Sequence, residues 1–370
     1  MNNKSKIGTI ESIAFISIVT INKLIMNTSR DIIAQSGSSA WINVIYISII
    51  AIIFALLLYK LFKNFTSSDI IDVSEYLGGK PLKILTSVLY LILFLTFVSI
   101  ILRDFTETLK IIYFNTTPII FIMGFFIIGI VFANRLGFNV MAKINLIILP
   151  FMLISILIIL FSEPQYYVAE RLTPILGYGG TETFLSGLTN IFAYSGIAYL
   201  YFLMPLIEKK TEFKKISVIS LILSSIFLFL SVTTLLLTFS IKMIDEELMP
   251  IYLITRIIEY GRFFQRTDAL FIFLWVLSFL AYLSVLTHFV IYSFKKITNI
   301  KNENGMLYCF AVIILGIALI PNSIIEVKNF SDVAFKYLVI GIVFIISPII
   351  LFLANLKYKK KNNINKIGSE

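Results

Sequence analysis

The chain has 370 residues, a formal charge of +10 and 58% hydrophobic against 14% charged residues. Its mean hydropathy of +0.94 is one that a soluble domain with a polar surface does not sustain. A single cysteine, Cys309, and a single histidine, His288, exclude an internal disulfide framework and multi-histidine metal or haem sites built by one chain. Cys309 lies inside an apolar run and reads as a small core residue.

Met1 to Lys6 is short and basic, and the apolar run after it carries Glu11, Asn22 and Lys23 with no small-residue cleavage site, so it reads as a retained first span rather than a signal peptide. About ten apolar stretches follow one another, each near the ~20 residues needed to cross a ~30 Å hydrocarbon layer. Their expected bounds are 7–29, 40–62, 82–112, 117–134, 141–162, 183–207, 214–241, 267–294, 305–325 and 333–356. The chain is therefore expected to be one polytopic membrane domain over 1–370, with function inside the bundle. Placing the N-terminus in the cytosol assigns roughly 20 Lys and Arg to cytosolic loops and about 10 to outer ones, so both termini are expected inside. Lys209-Lys210, Lys295-Lys296 and the tail Lys359-Lys360-Lys361 are the cytosolic clusters, and they read as topology determinants that also attract anionic lipid.

Two outer segments are longer than turns. Glu163 to Glu182 contains Pro164, Pro174 and Gly177-Tyr178-Gly179-Gly180; Ile241 to Thr267 contains Pro250 and an expected short helix, Ile251 to Tyr260. Each either caps an outward vestibule or packs at the interface. The last dozen residues read as a disordered basic tail.

Polar and helix-weakening residues inside the spans are the informative ones, because lipid makes each of them costly. Span six runs Gly187-Leu188-Thr189-Asn190-Ile191-Phe192-Ala193-Tyr194-Ser195-Gly196, with Pro205 near its end. Small and hydroxyl residues there favour a kink or unwound turn that frees backbone groups for a ligand. Span one has a matching interruption at Thr20, Asn22, Lys23, Asn27 and Thr28. Breaks at spans one and six are the pattern of a five-plus-five inverted repeat, here about 7–162 and 183–356. Lys23 either snorkels to the outer side or lines the cavity and meets a carboxylate. Arg103 and Glu107, four apart at the end of span three, share a helix face and read as an interfacial ion pair. In span eight, Ser278, Tyr282, Ser284, Thr287 and His288 bring polar groups to an otherwise apolar helix; the hydroxyls either back-bond or coordinate a ligand or ion, and His288 reads as a packing residue before a proton relay.

Several stretches together resemble one family. Glu75-Tyr76-Leu77-Gly78-Gly79-Lys80-Pro81, Arg103-Asp104-Phe105-Thr106-Glu107 with Thr117-Pro118, Leu203-Met204-Pro205, and Arg266-Thr267-Asp268-Ala269-Leu270-Phe271 running to Trp275 look like the spore-germination permease family, in order and spacing over nearly the whole chain. The resemblance implies the fold of the amino acid–polyamine–organocation superfamily: all-α integral membrane, ten transmembrane helices in a five-plus-five inverted repeat with helices 1 and 6 broken. It also implies the integral B subunit of a nutrient germinant receptor, partnered by a larger membrane A subunit and a lipoprotein C subunit in the spore inner membrane. Two departures bear on the ligand. Ile21-Asn22-Lys23 stands where members usually have an apolar, glycine-containing turn, and Gly196 is followed by Ile197-Ala198 where many carry an acidic residue. A positive charge gained and a negative one lost favour a ligand with a free carboxylate.

The expected function is thus binding of a small germinant such as an amino acid between spans 1, 3, 6 and 8, with no cofactor and no covalent chemistry. Span-six backbone groups and the Ser195 hydroxyl would hold its polar end, with Lys23 as a candidate carboxylate partner, and Phe97, Tyr194 and Phe279 would shape the apolar side; Asn22, Gly196, Ser278 and Tyr282 complete the expected ligand-binding set. Ser284, Thr287 and His288 are the candidate ion or proton site. A proton- or sodium-coupled amino-acid permease is the chief alternative, and a ligand-free scaffold for partner subunits is another. No nucleophile–base pair or metal constellation points to an enzyme.

Overall fold

A computed structural model describes residues 6–23, 27–247, 249–257, 267–298, 300 and 303–367. The chain is helical almost throughout because a backbone without water must satisfy its own N–H and C=O groups. Helix α1 spans Thr9–Lys23 and α2 Ser29–Ser36. Residues 24–26, which fall in the expected span-one break, lie outside the described residues, as do 258–266, with the end of the expected Ile251–Tyr260 helix and Arg266 of the family stretch.

Helix α3 is Ala40–Phe62 and α4 is Ile70–Ile112. Asp69 caps α4, its side chain accepting from the Asp72 N–H at 2.9 Å while Asp72 reaches back to the Asp69 N–H. The helix turns a corner at Gly78-Gly79, where Gly79 has φ +70°, a left-handed conformation that glycine adopts without steric cost. The Glu75–Pro81 stretch is thus the hinge between a short helix starting at Ile70 and a long span. Helices α5 (Ile119–Leu136) and α6 (Phe138–Phe161) form a hairpin through Gly137. Their outer stripes, Phe121, Phe125, Ile128 and Phe132 on one and Ile147, Phe151, Ile154 and Ile158 on the other, are exposed at helical spacing, as a lipid-facing surface requires.

The segment Thr181–Tyr194 is helical but not α-helical, and α7 (Ile197–Leu206) completes it. Helices α8 (Phe213–Thr238), α9 (Ile241–Glu246), α10 (Pro250–Ile257), α11 (Thr267–Thr298), α12 (Glu303–Ala318), α13 (Ile324–Leu338) and α14 (Ser347–Ile367) follow, with the π-helical stretch Val339–Ile346 between the last two. Among the described residues, eight helices are long and apolar enough to cross a membrane. α1 and α12, at 15 and 16 residues, are shorter than the usual ~20-residue span, so the count of ten remains an expectation.

Most of Thr181–Leu206 is buried, which puts it at the centre of the bundle. α1 packs against it and against α6, α8 and α11. At one end, Ile7 pairs with Leu206 and Glu208 (Ile7 N to Leu206 O 2.9 Å, Glu208 N to Ile7 O 3.0 Å), and Asn64 meets Asn355 at 2.8 Å. Both ends of the described chain therefore lie on one side, called here the terminal end. At the far end the two long segments pack onto the helices as caps: Ser38 donates to Pro174 O at 2.7 Å, and Arg30 to Glu247 O at 3.2 Å.

Three local expectations change. Cys309 is exposed on an outward face of α12, not in the core. The expected disordered tail is helical to Ile367. Spans nine and ten meet in a turn at 319–323, several residues earlier than expected, because Pro321 and Asn322 favour a turn there.

Candidate functional site

The non-α geometry of 181–194 leaves carbonyls without their usual i+4 donors, and inside a membrane another group must satisfy them. Asn43 of α3 does much of this: its Nδ2 donates to Thr183 O at 2.6 Å and Gly187 O at 3.0 Å, while its Oδ1 accepts from Asn190 Nδ2 at 2.9 Å. Ser39 and Thr183 share a hydrogen bond of 2.6 Å beside it. Asn43 was not singled out by sequence reading. The signal was a lone amide in the first third of an otherwise apolar span.

Lower in the same segment the donor is Lys23. Its Nζ donates to Phe192 O at 2.8 Å and to Ser195 Oγ at 3.2 Å, and it lies 4.4 Å from the centre of the Phe192 ring. The side chain is buried at 8% exposure, so it turns inward and does not snorkel. Next to it, Asn22 and Ser278 pair twice: Ser278 Oγ donates to Asn22 Oδ1 at 2.8 Å and Asn22 Nδ2 to Ser278 O at 3.2 Å. One end of α1 thus joins span six through Lys23 and span eight through Asn22. A Cβ on Gly196 would stand 2.1 Å from Thr20 Oγ1. That glycine is needed for the close approach of α1 to span six, and the space beside it holds Thr20.

The remaining expected site residues divide between this junction and other places. Phe279 stacks on Phe105 at 3.9 Å between ring centres, with Trp275 and Tyr282 edge-on to it; Phe97 is buried on α4. Tyr194 turns away, its hydroxyl between Ser48 at 2.6 Å and Ser225 at 2.8 Å, so it ties span six to α3 and α8. Ser284 and Thr287 bond back to Leu280 O and Leu283 O in their own helix, at 2.7 and 3.0 Å. His288 stacks on Phe138 at 4.8 Å and lines a cavity of about 630 Å³ at the terminal end, together with Asp72, Arg135, Tyr292, Lys295 and Lys296. On the wall of that cavity Lys296 lies 3.0 Å from Asp69 and also pairs with Asp72, and the Tyr292 hydroxyl donates to Asp69. Burial raises the Asp69 carboxyl above the ordinary range, opposed by the Lys296 charge.

At the far end Arg103 and Glu107 form the expected ion pair at 2.7 Å. Asp104 beside them accepts from Asn27 Nδ2 at 2.8 Å, tying α4 to the chain just past α1.

A buried bundle with a distorted central helix, its carbonyls met by polar groups from α1 and α3, is the architecture of LeuT-fold transporters. Among solved structures the chain is similar to Mhp1, a nucleobase-cation-symport-1 family transporter in a closed conformation with bromovinylhydantoin bound (TM-score 0.68, 12% identity, 95% of this chain and 80% of that one). It is also similar to MhsT in complex with L-phenylalanine (TM-score 0.61, 14% identity, 93% and 97%). The family model described as spore germination protein matches residues 6–330, and the chain belongs to that family. Spore germination protein KB of Bacillus subtilis strain 168 is 20% identical over 303 residues, covering 81% of this chain and 80% of that protein. Spore germination protein B2 of the same organism is 20% identical over 350 residues, covering 93% of each. The chain is a multi-pass membrane protein of this spore-germination family.

Proposed function

We propose that this chain is the membrane subunit that senses a small nutrient, such as an amino acid, and that the nutrient binds where α1, span six and α11 meet. The observation that carries this reading is the polar junction of Lys23, Phe192 O, Ser195, Asn22 and Ser278 in the buried centre. A protein that only anchored partners would gain stability by filling that space with apolar side chains, since a buried ammonium loses more hydration than its contacts return unless they are many. In this structure Lys23 holds the carbonyl of Phe192 and the hydroxyl of Ser195 in span six. A ligand carboxylate would draw the ammonium to itself, release those groups and let α1 move relative to span six. The ligand's differential affinity for the two arrangements then shifts the population, and partner subunits read the shift.

The two repeats, about 7–162 and 183–356, supply α1 and span six as their opening elements. The larger A subunit and the lipoprotein C subunit are the partners that fit this role, with the chain in the spore inner membrane and both termini cytosolic. A coupled amino-acid permease is the second reading, favoured by the transporter fold of the solved relatives.

Equilibrium binding of a panel of labelled amino acids to the purified chain, repeated with Ser195→Ala and followed by uptake into proteoliposomes, tests both. Saturable binding that Ser195→Ala weakens, without accumulation, is the expected result. Binding unaffected by Ser195→Ala removes the site from span six, and accumulation against a gradient establishes the permease.

A further inference from the structure

The ring of Phe192 meets a second cation, Lys336, which sequence reading did not single out. Lys23 Nζ stands 4.4 Å from the ring centre and Lys336 Nζ 5.9 Å, so the two ammonium nitrogens are no more than about 10 Å apart. They come from different elements: Lys23 ends α1, whereas Lys336 lies near the end of α13, which packs against Ser186–Tyr194. Phe192 is 8% exposed and Lys336 is half-buried. Among the described residues no carboxylate lies within ion-pair distance of Lys336. Asp31, whose charge reaches Lys23, is held by Arg30 at 2.9 Å. An aromatic face attracts a cation through its quadrupole alone, more weakly than a carboxylate does at hydrogen-bond distance. Two like charges around one ring also repel, so the space between them favours anionic groups over the ring.

We propose that the ligand carries two carboxylates, one engaging Lys23 and the other Lys336. This rests on the nutrient binding at the α1–span six junction, and it names the chemical class of that nutrient. Two carboxyl groups about 4–5 Å apart, each with an oxygen about 2.8 Å from its ammonium, span a gap of this size. Short-chain dicarboxylates have that separation, and acidic amino acids are their amino-bearing form. The Phe192 ring gives up its place to the second carboxylate. The ligand's amino group then has Phe192 O and Ser195 Oγ as acceptors, the two groups that Lys23 holds here.

The test is equilibrium binding of labelled L-glutamate and L-aspartate to the purified full chain in detergent, beside L-glutamine and L-asparagine, which keep the shape and lose one charge. Each acid is expected to bind at least about tenfold more tightly than its amide. Lys336→Met is expected to weaken the acids about tenfold and to leave the amides within about twofold, their retained binding showing that the variant is folded. Asp332→Asn removes the acidic residue one turn earlier in the sequence and is expected to leave or strengthen the preference for acids. Amides that bind as tightly as the acids would overturn the second carboxylate while the Lys23 reading stood on their sensitivity to Ser195→Ala. Equal weakening of acid and amide by Lys336→Met would make the lysine structural and overturn the proposal, as would loss of the preference in Asp332→Asn. No saturable binding of any of the four would overturn both readings.

Discussion

Replacing Gly196 by alanine should destabilise the bundle through one contact, and the partner in that contact can be named. An added Cβ would lie 2.1 Å from Thr20 Oγ1 and 3.3 Å from Thr20 Cβ. Thr20 cannot rotate away freely, because its hydroxyl donates to Ile16 O at 2.8 Å in a fully buried position. Losing that bond costs about 1 kcal/mol and overpacking a further ~1–3 kcal/mol, for a total of about 2–4 kcal/mol. Thr20→Ala removes the oxygen and leaves the 3.3 Å contact, which a shift of a few tenths of an ångström relieves. The double variant should therefore recover at least ~1 kcal/mol of the loss in a double-mutant cycle. Helical membrane proteins seldom unfold reversibly, so the assay is the fraction of detergent-solubilised chain that stays monodisperse after timed heating. A Gly196→Ala midpoint equal to the parent's, or losses that simply add when Thr20→Ala is combined with it, would refute the close-approach argument.

Other expectations follow from single contacts. Asn43→Leu strips the donors from Thr183 O and Gly187 O and should cost about 2–4 kcal/mol in the same heating assay, more than any lipid-facing Asn→Leu change. Lys296→Met leaves Asp69 buried without its cation and should cost on the order of 3–5 kcal/mol, with Asp69→Asn restoring much of it; equal losses from the single and double variants would deny the pair. A cysteine at Asn362 in a Cys309→Ser background should resist an impermeant thiol reagent in intact cells, and its labelling would invert the expected topology.

Most of the spans were legible in the sequence because length and hydropathy in lipid leave few alternatives, and the distortion of span six was legible because glycine weakens a helix and serine and asparagine are conspicuous at mid-depth. What replaced a simple unwound turn in span six was less so. The π and 3₁₀ geometry of 181–194 depends on Asn43, some 140 residues away, meeting the freed carbonyls, and no local pattern announces that pairing. Tyr194 and Gly196 show the same limit. Residues two apart on a helix face different neighbours, and the choice of Ser48 and Ser225 for one and Thr20 for the other is made by packing. The corner at Gly78-Gly79 could have been read from the glycine pair followed by Pro81, whereas the helical tail to Ile367 runs through a lysine- and asparagine-rich stretch that composition alone assigns to coil.

The account rests on Lys23 as the group that a ligand carboxylate engages, and Lys23→Met tests it most directly, since methionine keeps most of the volume and deletes the charge. The measurement is the half-saturating nutrient concentration for germination, at matched protein abundance in the spore membrane. A charge-assisted contact in a partly desolvated site is worth about 1.5–3 kcal/mol, so the predicted shift is about tenfold to a hundredfold or more. A shift under about threefold, equivalent to less than ~0.7 kcal/mol, would contradict the claim that the nutrient is held at the junction of α1 and span six.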